Sequence, residues 1–406
     1  MVRLMSHNKM SYLIPWWDDY VDLNYDFIDD EPTDGIKVTA HQIYDDPPYD
    51  GILVSKAKIE ENKKNLRRIK KTGIHKYLEF EGPVFGDCGA YGYIKEDVPP
   101  YKTEEIGEYY HDLGFDYGVS VDHLIVKQFE EQKHKRYEIT MKNAERFLDV
   151  HHSRGYEYIP VGAAQGWDTT SYKASVRELL DMGYQYIAIG GLTRSPTSTV
   201  LDVLRAIQEV LSNKEEIGVH LFGVARLSAI KEMHKLGITS FDSASHLRRA
   251  WLGAKSNYML PDGKNYAAIR IPQTDRSPKA RKILNSGRIE PEELEAMEEG
   301  CMGLMRMYER NKADIDEVLE AIVWYDSIID AKKSHADEYL KTLKDRPWEL
   351  CDCAICRDVG VEVIIFRGNN RNRRRGFHNT WVFYNQLQRI LEEEDTIKQT
   401  TLKDFR

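Results

Sequence analysis

Short apolar runs rich in β-branched and aromatic residues recur roughly every 30 residues through most of the chain. They are Ile52–Ser55, Pro83–Gly86, Tyr117–Val121, Tyr158–Gly162, Tyr186–Ile189, His220–Val224 and Ile238–Phe241. Between them lie segments of helical length and period, among them Thr103–Leu113, Ser171–Met182, Ser198–Leu211 and Ser228–Leu236. Strands alternating with helices predict a parallel sheet of the α/β class. Seven such units, with no Gly-rich turn after the first, predict a closed (β/α)8 TIM barrel over residues 50–275. Ala267–Ile271 is placed as the eighth strand. Residues 1–49, rich in Asp, Tyr and Trp, show neither period and predict an irregular segment packed on the barrel. Val126–His151 reads as a long solvated helix with a Lys/Arg face. From 276 to 406 the pattern is mainly helical, with Pro291–Gly300, Met305–Arg310, Ile315–Leu343 and Trp381–Glu394 as helices and Val361–Phe366 as a β-prone run. That region reads as a C-terminal helical, zinc-binding subdomain with a basic segment.

The 406 residues are 41% hydrophobic, enough for a sizeable core, which excludes a mainly disordered chain. No apolar run reaches the roughly 18 residues that span a bilayer, so no membrane role is expected. The N-terminal stretch has no apolar core and no small-residue cleavage site, which argues against secretion. A net charge of −9 argues against non-specific coating of nucleic acid, while leaving room for a local basic patch. Of five cysteines, Cys351, Cys353 and Cys356 fall within six positions, which suits a metal in a reducing compartment better than disulfides. The protein is therefore read as soluble and cytoplasmic.

The residues at the ends of the strands carry the chemistry. Asp87 follows the second run, Asp122 the third, Gln165 the fourth, Gly190-Gly191 the fifth, Phe222 lies in the sixth, and Asp242 closes the seventh. In a barrel these ends share one rim, where (β/α)8 enzymes hold their active sites. Taken singly, Asp242 is as well explained as a cap of the next helix. Together, three carboxylates, a carboxamide and a bare Gly-Gly backbone form a donor and acceptor array suited to a flat polar heterocycle. Two carboxylates on one substrate can divide labour as in retaining glycosidases, one attacking the anomeric carbon and one moving protons. Acid–base work without a covalent step is the milder alternative.

Cys351-x-Cys353-x2-Cys356 with His378 downstream has the spacing of a closed Cys3His zinc site with a structural role. A chance cluster of buried cysteines is the bland alternative. Between these ligands lie Arg367, Arg371, Arg373, Arg374 and Arg375, interleaved with Asn and Gly. Such density in an acidic chain reads as a phosphate-contact segment for nucleic acid, against the alternative of a solvated turn.

These residues as a set resemble the tRNA-guanine transglycosylase superfamily, over most of Asp50–Tyr258 and the cysteine segment. The family's members are zinc-containing (β/α)8 barrels that exchange guanine for a 7-deazaguanine. The resemblance implies that Asp242, in F-D-S-A-S, is the nucleophile, and Asp87, in D-C-G-A-Y, the general acid/base. It implies that Asp122, Gln165, Gly190 and Gly191 hold the base edge while Tyr91 and Phe222 sandwich its faces, with Cys351, Cys353, Cys356 and His378 on zinc. Bacterial tRNA enzymes usually read D-S-G-G and D-E-C where this chain has Asp87-Cys88-Gly89-Ala90 and Asp122-His123-Leu124. F-D-S-A-S is similar to archaeal relatives, yet the chain leaves no room for their long RNA-binding domains. Leu13-Ile-Pro-Trp-Trp-Asp-Asp and Phe366–Phe377 are similar to the DNA-acting, DpdA-type branch. The resemblance thus implies a pentosyltransferase that inserts a preQ0-like 7-deazaguanine into DNA, in a bacterial or phage-infected cytoplasm. The same reaction on tRNA is the alternative, and a non-catalytic nucleic-acid-binding subunit a more distant one. A helper ATPase and a homodimer are compatible partners.

Overall fold

The computed structural model describes residues 2–5, 9–33, 35–212, 217–253, 255–330 and 334–404, with side chains of the last helix described as far as Glu393. Eight parallel strands close a barrel: β1 (Ser11–Pro15), β2 (Gly51–Ser55), β3 (Val84–Asp87), β4 (Tyr117–Val119), β5 (Ile159–Ala164), β6 (Tyr186–Ile189), β7 (Gly218–Leu221) and β8 (Ser240–Asp242). Each pairs with its sequence neighbour, and β1 closes the ring by pairing with both β2 and β8. The outer helices include α1 (Thr103–Leu113), α2 (Lys133–Arg154), α3 (Thr169–Met182) and α4 (Thr197–Leu211).

The eighth strand is β1, not Ala267–Ile271. Ser11–Pro15 is a buried run of β-prone residues, but no long helix follows it, so the β/α period does not mark it. Of the segment expected at the C-terminal end, Ile269–Arg270 instead pairs in parallel with Ile365–Phe366, outside the barrel. Compactness divides the chain differently from the three consecutive blocks expected. Residues 1–17, 49–244 and 387–406 form one unit, and 18–48 with 245–386 form the other.

Within the barrel unit, alternate side chains of each strand point inward. Leu13, Leu53, Phe85, Tyr117, Val119, Val161, Ala163, Tyr186 and Ala188 fill the interior, with Met5 packed against them. Phe85 stacks on Tyr117 at 5.5 Å and Tyr117 meets Tyr186 edge-on at 5.2 Å. The barrel is a filled core and not a pore, so a ligand can enter only where the inward positions turn polar.

The second unit is mostly helical. Pro291–Glu309 is one continuous helix where two were expected. Ile315–Ile329 and Ala336–Asp345 are separate helices. Val361–Phe366 is chiefly a 3-10 turn, Gly360–Ile364, with only Ile365–Phe366 extended. The last helix begins at Asn369, twelve residues before the expected Trp381, and so takes in most of the arginine segment.

Candidate active site and metal centre

The inward parity that fills the core also places the site. Phe85 points inward on β3, so Asp87 does too; Ala163 precedes Gln165 on β5 in the same way, and Ala188 precedes Gly190 beyond β6. On β7 and β8 the inward pairs are His220 with Phe222 and Ser240 with Asp242. Asp122 lies three residues beyond the end of β4, where the chain has left the strand.

Asp242 is buried, and its Oδ1 accepts from the Gly223 backbone N–H at 2.9 Å. Gly223 takes φ +68°, a left-handed conformation that glycine adopts freely and that aims this N–H at the carboxylate. His220 Nε2 lies 3.2 Å from the same oxygen. His220 Nδ1 lies 2.8 Å from Ser240 Oγ, which lies 2.8 Å from Tyr186 Oη. With Asp242 Oδ1 as the acceptor at its end, this chain runs in one direction. His220 donates from Nε2, Ser240 donates to Nδ1, and Tyr186 donates to Ser240. The second carboxylate oxygen, Oδ2, accepts no hydrogen bond among the described residues. The helix after β8 starts at Ser245, and both partners of Asp242 come from β7 and its loop, which disfavours the capping reading.

Asp122 is buried beside Gln165, whose Nε2 donates to its Oδ2 at 2.7 Å. Cys88 Sγ sits 3.5 Å from Asp122 Oδ1 and 2.9 Å from Tyr93 Oη. A Cβ on Gly190 would fall 2.2 Å from Gln165 Nε2, so only glycine fits against this amide. Gly191 is also in a left-handed conformation, φ +81°. Burial pushes the Asp87 carboxyl up to about 8, with Asp122 and Asp242 adding to the rise; the Gly89 N–H, 3.0 Å away, opposes it. Burial also raises Asp122, against the Gln165 and Cys88 hydrogen bonds. The mouth thus holds a carboxyl that is largely protonated at neutral pH beside one held by two donors. Tyr91 is exposed, and half-buried Phe222 stands edge-on to His220 at 4.8 Å. Both lie in the barrel unit with the carboxylates.

Sequence reasoning missed His220, Ser240 and Tyr186, although His220 sits two positions before Phe222 on a strand already recognised. It also missed Arg136 on α2. This side chain is buried and not solvated; its guanidinium donates to Leu124 O at 2.8 Å and lies 3.1 Å from His123 Nδ1, bracing the loop that carries Asp122.

In the second unit, Cys351, Cys353, Cys356 and His378 are all buried, with their ligand atoms within 4.8 Å of one another. His378 Nδ1 lies 3.6, 3.4 and 3.3 Å from the three sulfurs. Its Nε2 is 2.7 Å from Met259 O, so Nε2 carries the proton and the Nδ1 lone pair faces the thiols. This cluster can hold a metal ion.

The arginines are internal ties and not a phosphate-contact surface. Arg371, Arg374 and Arg375 are almost fully buried, and Arg367 nearly so. Arg367 pairs with Asp30 and Glu298, Arg371 with Asp30 and Glu362, and Arg374 with Asp358. Arg375 donates to the carbonyls of Ala250, Val363 and Ile365. Half-exposed Arg373 donates to Tyr20 O and lies 3.3 Å from Asp19. Buried guanidiniums so engaged are not presented to a backbone phosphate; of the five, only Arg373 keeps an exposed face.

Comparison with known proteins adds an independent line. A family model described as queuine tRNA-ribosyltransferase matches residues 36–278, a span that holds every strand-end residue above but neither the cysteine cluster nor the arginines. The DNA-guanine transglycosylase of Salmonella montevideo is 37% identical, over 95% of this chain and 98% of that protein. The tRNA-guanine(15) transglycosylases of Pyrococcus furiosus and Thermococcus kodakarensis are 24% and 27% identical, over 50% and 55% of this chain. The matched parts make up only 34% and 37% of those proteins.

Proposed function

Because the chain belongs to the queuine tRNA-ribosyltransferase family, we propose that it exchanges guanine in DNA for a 7-deazaguanine through an aspartyl–glycosyl intermediate. The observation that carries the chemistry is the pairing of Asp242, held at Oδ1 and open at Oδ2, with a protonated Asp87. A deoxyguanosine extruded from the stack enters the mouth. Oδ2 of Asp242 attacks C1′, and the C1′–N9 electron pair departs with guanine, which takes its proton from Asp87. The incoming 7-deazaguanine gives its N9 proton to the Asp87 carboxylate, and N9 displaces Asp242 from C1′. Asp122 and Gln165 accept from and donate to the base edge, beside Gly190 and Gly191, while Tyr91 and Phe222 cover its faces. The DNA assignment is supported by near full-length similarity to a DNA-guanine transglycosylase, against half-length matches to tRNA enzymes.

Zinc suits the Cys3His cluster. Tetrahedral Zn–S and Zn–N bonds of ordinary length put nitrogen and sulfur about 3.6 Å apart, close to the separations at His378. With four protein ligands and no open position its role is structural, and its thiolates favour a reducing cytoplasm. Stripping it with a chelator should lower the melting temperature of the protein; unchanged melting would remove the structural metal. Extruding a paired base costs a few kcal/mol, which gives a helper ATPase a purpose, and a homodimer is compatible with the reading.

The test is incorporation of labelled guanine or preQ0, with plasmid DNA and bulk tRNA offered in parallel. Label in DNA alone supports the reading. Label in tRNA alone replaces it with the tRNA reaction, and label in neither points to a missing partner or a binding role.

A further inference from the structure

With the arginine segment buried, the proposed polynucleotide substrate needs another cationic surface. One stands on the barrel unit, in a helix that sequence reasoning passed over. Lys63–Thr72 carries Lys63, Lys64, Arg67, Arg68, Lys70 and Lys71, all exposed, in ten residues. At 100° per residue the six fall within an arc of about 160°, opposite the buried Ile69. None of the six forms an ion pair with a described residue. Elsewhere on this acidic surface cations are commonly neutralised, as in Lys58–Glu61, Lys135–Asp97, Arg146–Glu104 and Arg205–Asp202. Six unneutralised cations on one helix face, in a chain of net charge −9, repel one another unless a polyanion covers them.

The helix is tied to the catalytic rim. It follows β2, whose last residue, Ser55, is in register with Asp87. A Cβ on Gly89 would fall 2.3 Å from Ser55 Oγ and 2.7 Å from Ala57 Cβ, so the backbone after Asp87 lies directly against the start of this segment. Lys56 is buried, held by Glu60 and Glu105 and lying over the rings of Tyr101 and Tyr109. This anchors the turn before Asn62, whose side chain caps the helix by accepting from Lys64 N and Asn65 N. The first turn has no acidic residue, so the positive end of the helix dipole adds to the side-chain charge.

We propose that the face formed by Lys63, Lys64, Arg67, Arg68, Lys70 and Lys71 binds the phosphate backbone of DNA flanking the guanine that enters the mouth. The cations span about 12 Å of helix axis, enough to meet several phosphates of one strand. A second copy of the chain fits poorly, because a two-fold contact would set the six cations against themselves. A lipid surface fits poorly too, since the helix turns its apolar Leu66 and Ile69 inward and offers no exposed apolar stripe.

This surface rests on the nucleic-acid reading of the mouth but is tested without turnover. In Lys64→Gln/Arg67→Gln/Lys71→Gln three central cations are removed while helix propensity is kept. Binding of a labelled duplex is followed by fluorescence anisotropy across a salt series, beside melting temperature and base exchange. The expected result is a fall of about 2–3 in the slope of log K against log salt, since each phosphate that is no longer neutralised accounts for about 0.9. Affinity at low salt should fall at least tenfold, with the melting temperature and kcat at saturating DNA unchanged. An unchanged slope and affinity would overturn the proposal, as would loss of tRNA binding with duplex binding intact. Salt-dependent duplex binding through this face without any exchange, into single-stranded DNA as well as duplex, would sink the transglycosylase reading and leave the surface standing. Exchange into DNA with an unaltered slope would do the reverse.

Discussion

At the barrel mouth, Asp87, Asp122 and Asp242 crowd together with no lysine or arginine among their described partners; just before and along the first turns of the last helix, buried arginines meet Asp30, Glu298, Glu362 and Asp358. Both regions bury charge, which is costly unless it is compensated. The arginines are compensated by carboxylates and carbonyls. The mouth carboxylates are compensated only in part, by a histidine, a carboxamide and backbone N–H groups. What remains uncompensated is what a cationic transition state and a base edge can supply. Buried charge satisfied from within holds a fold together, and buried charge left short marks where a substrate belongs.

The sharpest break of that contrast is at Asp242. Asp242→Asn keeps the shape and removes the proposed nucleophile, so exchange and any covalent adduct should fall about 10⁴-fold or more, while melting is retained. Detectable adduct on gels run in denaturant would sink the assignment. Next is Arg371→Leu, which takes from buried Asp30 and Glu362 one of the two guanidiniums that each holds, leaving Arg367 and Arg306, and should cost about 3 kcal/mol in denaturant unfolding. A variant as stable as the parent would mean that the arginine cluster is not what secures its unit.

Asp87→Asn should lower exchange about 10²- to 10⁴-fold and change its pH profile. Asp87 is raised to about 8, so the acid form proposed to protonate departing guanine is lost as pH rises through 8. The falling limb of kcat/KM near pH 8 should disappear in the variant. Stability should move the opposite way. The native carboxyl binds a proton that the unfolded chain has released between about pH 4 and 8, so stability falls with rising pH across that window. Removing the carboxyl should therefore raise the melting temperature at pH 8 and have little effect near pH 4. A drop at pH 8 would place Asp87 with the arginines, among the stabilising charges. The smallest effect is expected for His220→Phe, which keeps the ring packed on Phe85, now at 4.8 Å, and removes the bond to Asp242. A hydrogen bond to a charged group is worth about 1.5–3 kcal/mol, so kcat should fall roughly 10- to 100-fold with KM for the base unchanged. Equal loss in both would make His220 a packing residue and not a positioning one.

Much of the barrel is legible in the sequence because period-2 alternation and the β/α spacing are local signals. They place Asp87, Gln165 and Asp242 at strand ends without any knowledge of the fold. His220 obeys the same parity, but it lies inside its strand and not at the end, so strand termini alone do not reveal it. β1 is not legible, since no long helix follows to mark the unit and its closing partner β8 is distant in sequence. The arginines mislead for a similar reason. Their density suggests a surface, but Asp30 lies more than 330 residues away from Arg367 and Arg371, and only the fold brings the pairs together. The six cations on Lys63–Thr72 are equally dense in sequence, yet they stay exposed, with no carboxylate among the described residues paired with them.

The ring closes through β1, and its register sets Leu13 opposite Asp242. Tyr12 Oη donates to Ser243 O at 2.7 Å, and Ser11 N donates to Thr239 O at 2.8 Å. As the chain leaves the ribosome, Ser11–Pro15 can pair with β2 early, but its other edge stays open until β8 has been made. The last seam of the barrel to be sewn is therefore the one beside Asp242. A growing or N-terminally clipped chain lacks that seam, so the Asp242 carboxylate is set in place only when the vessel around it is sealed.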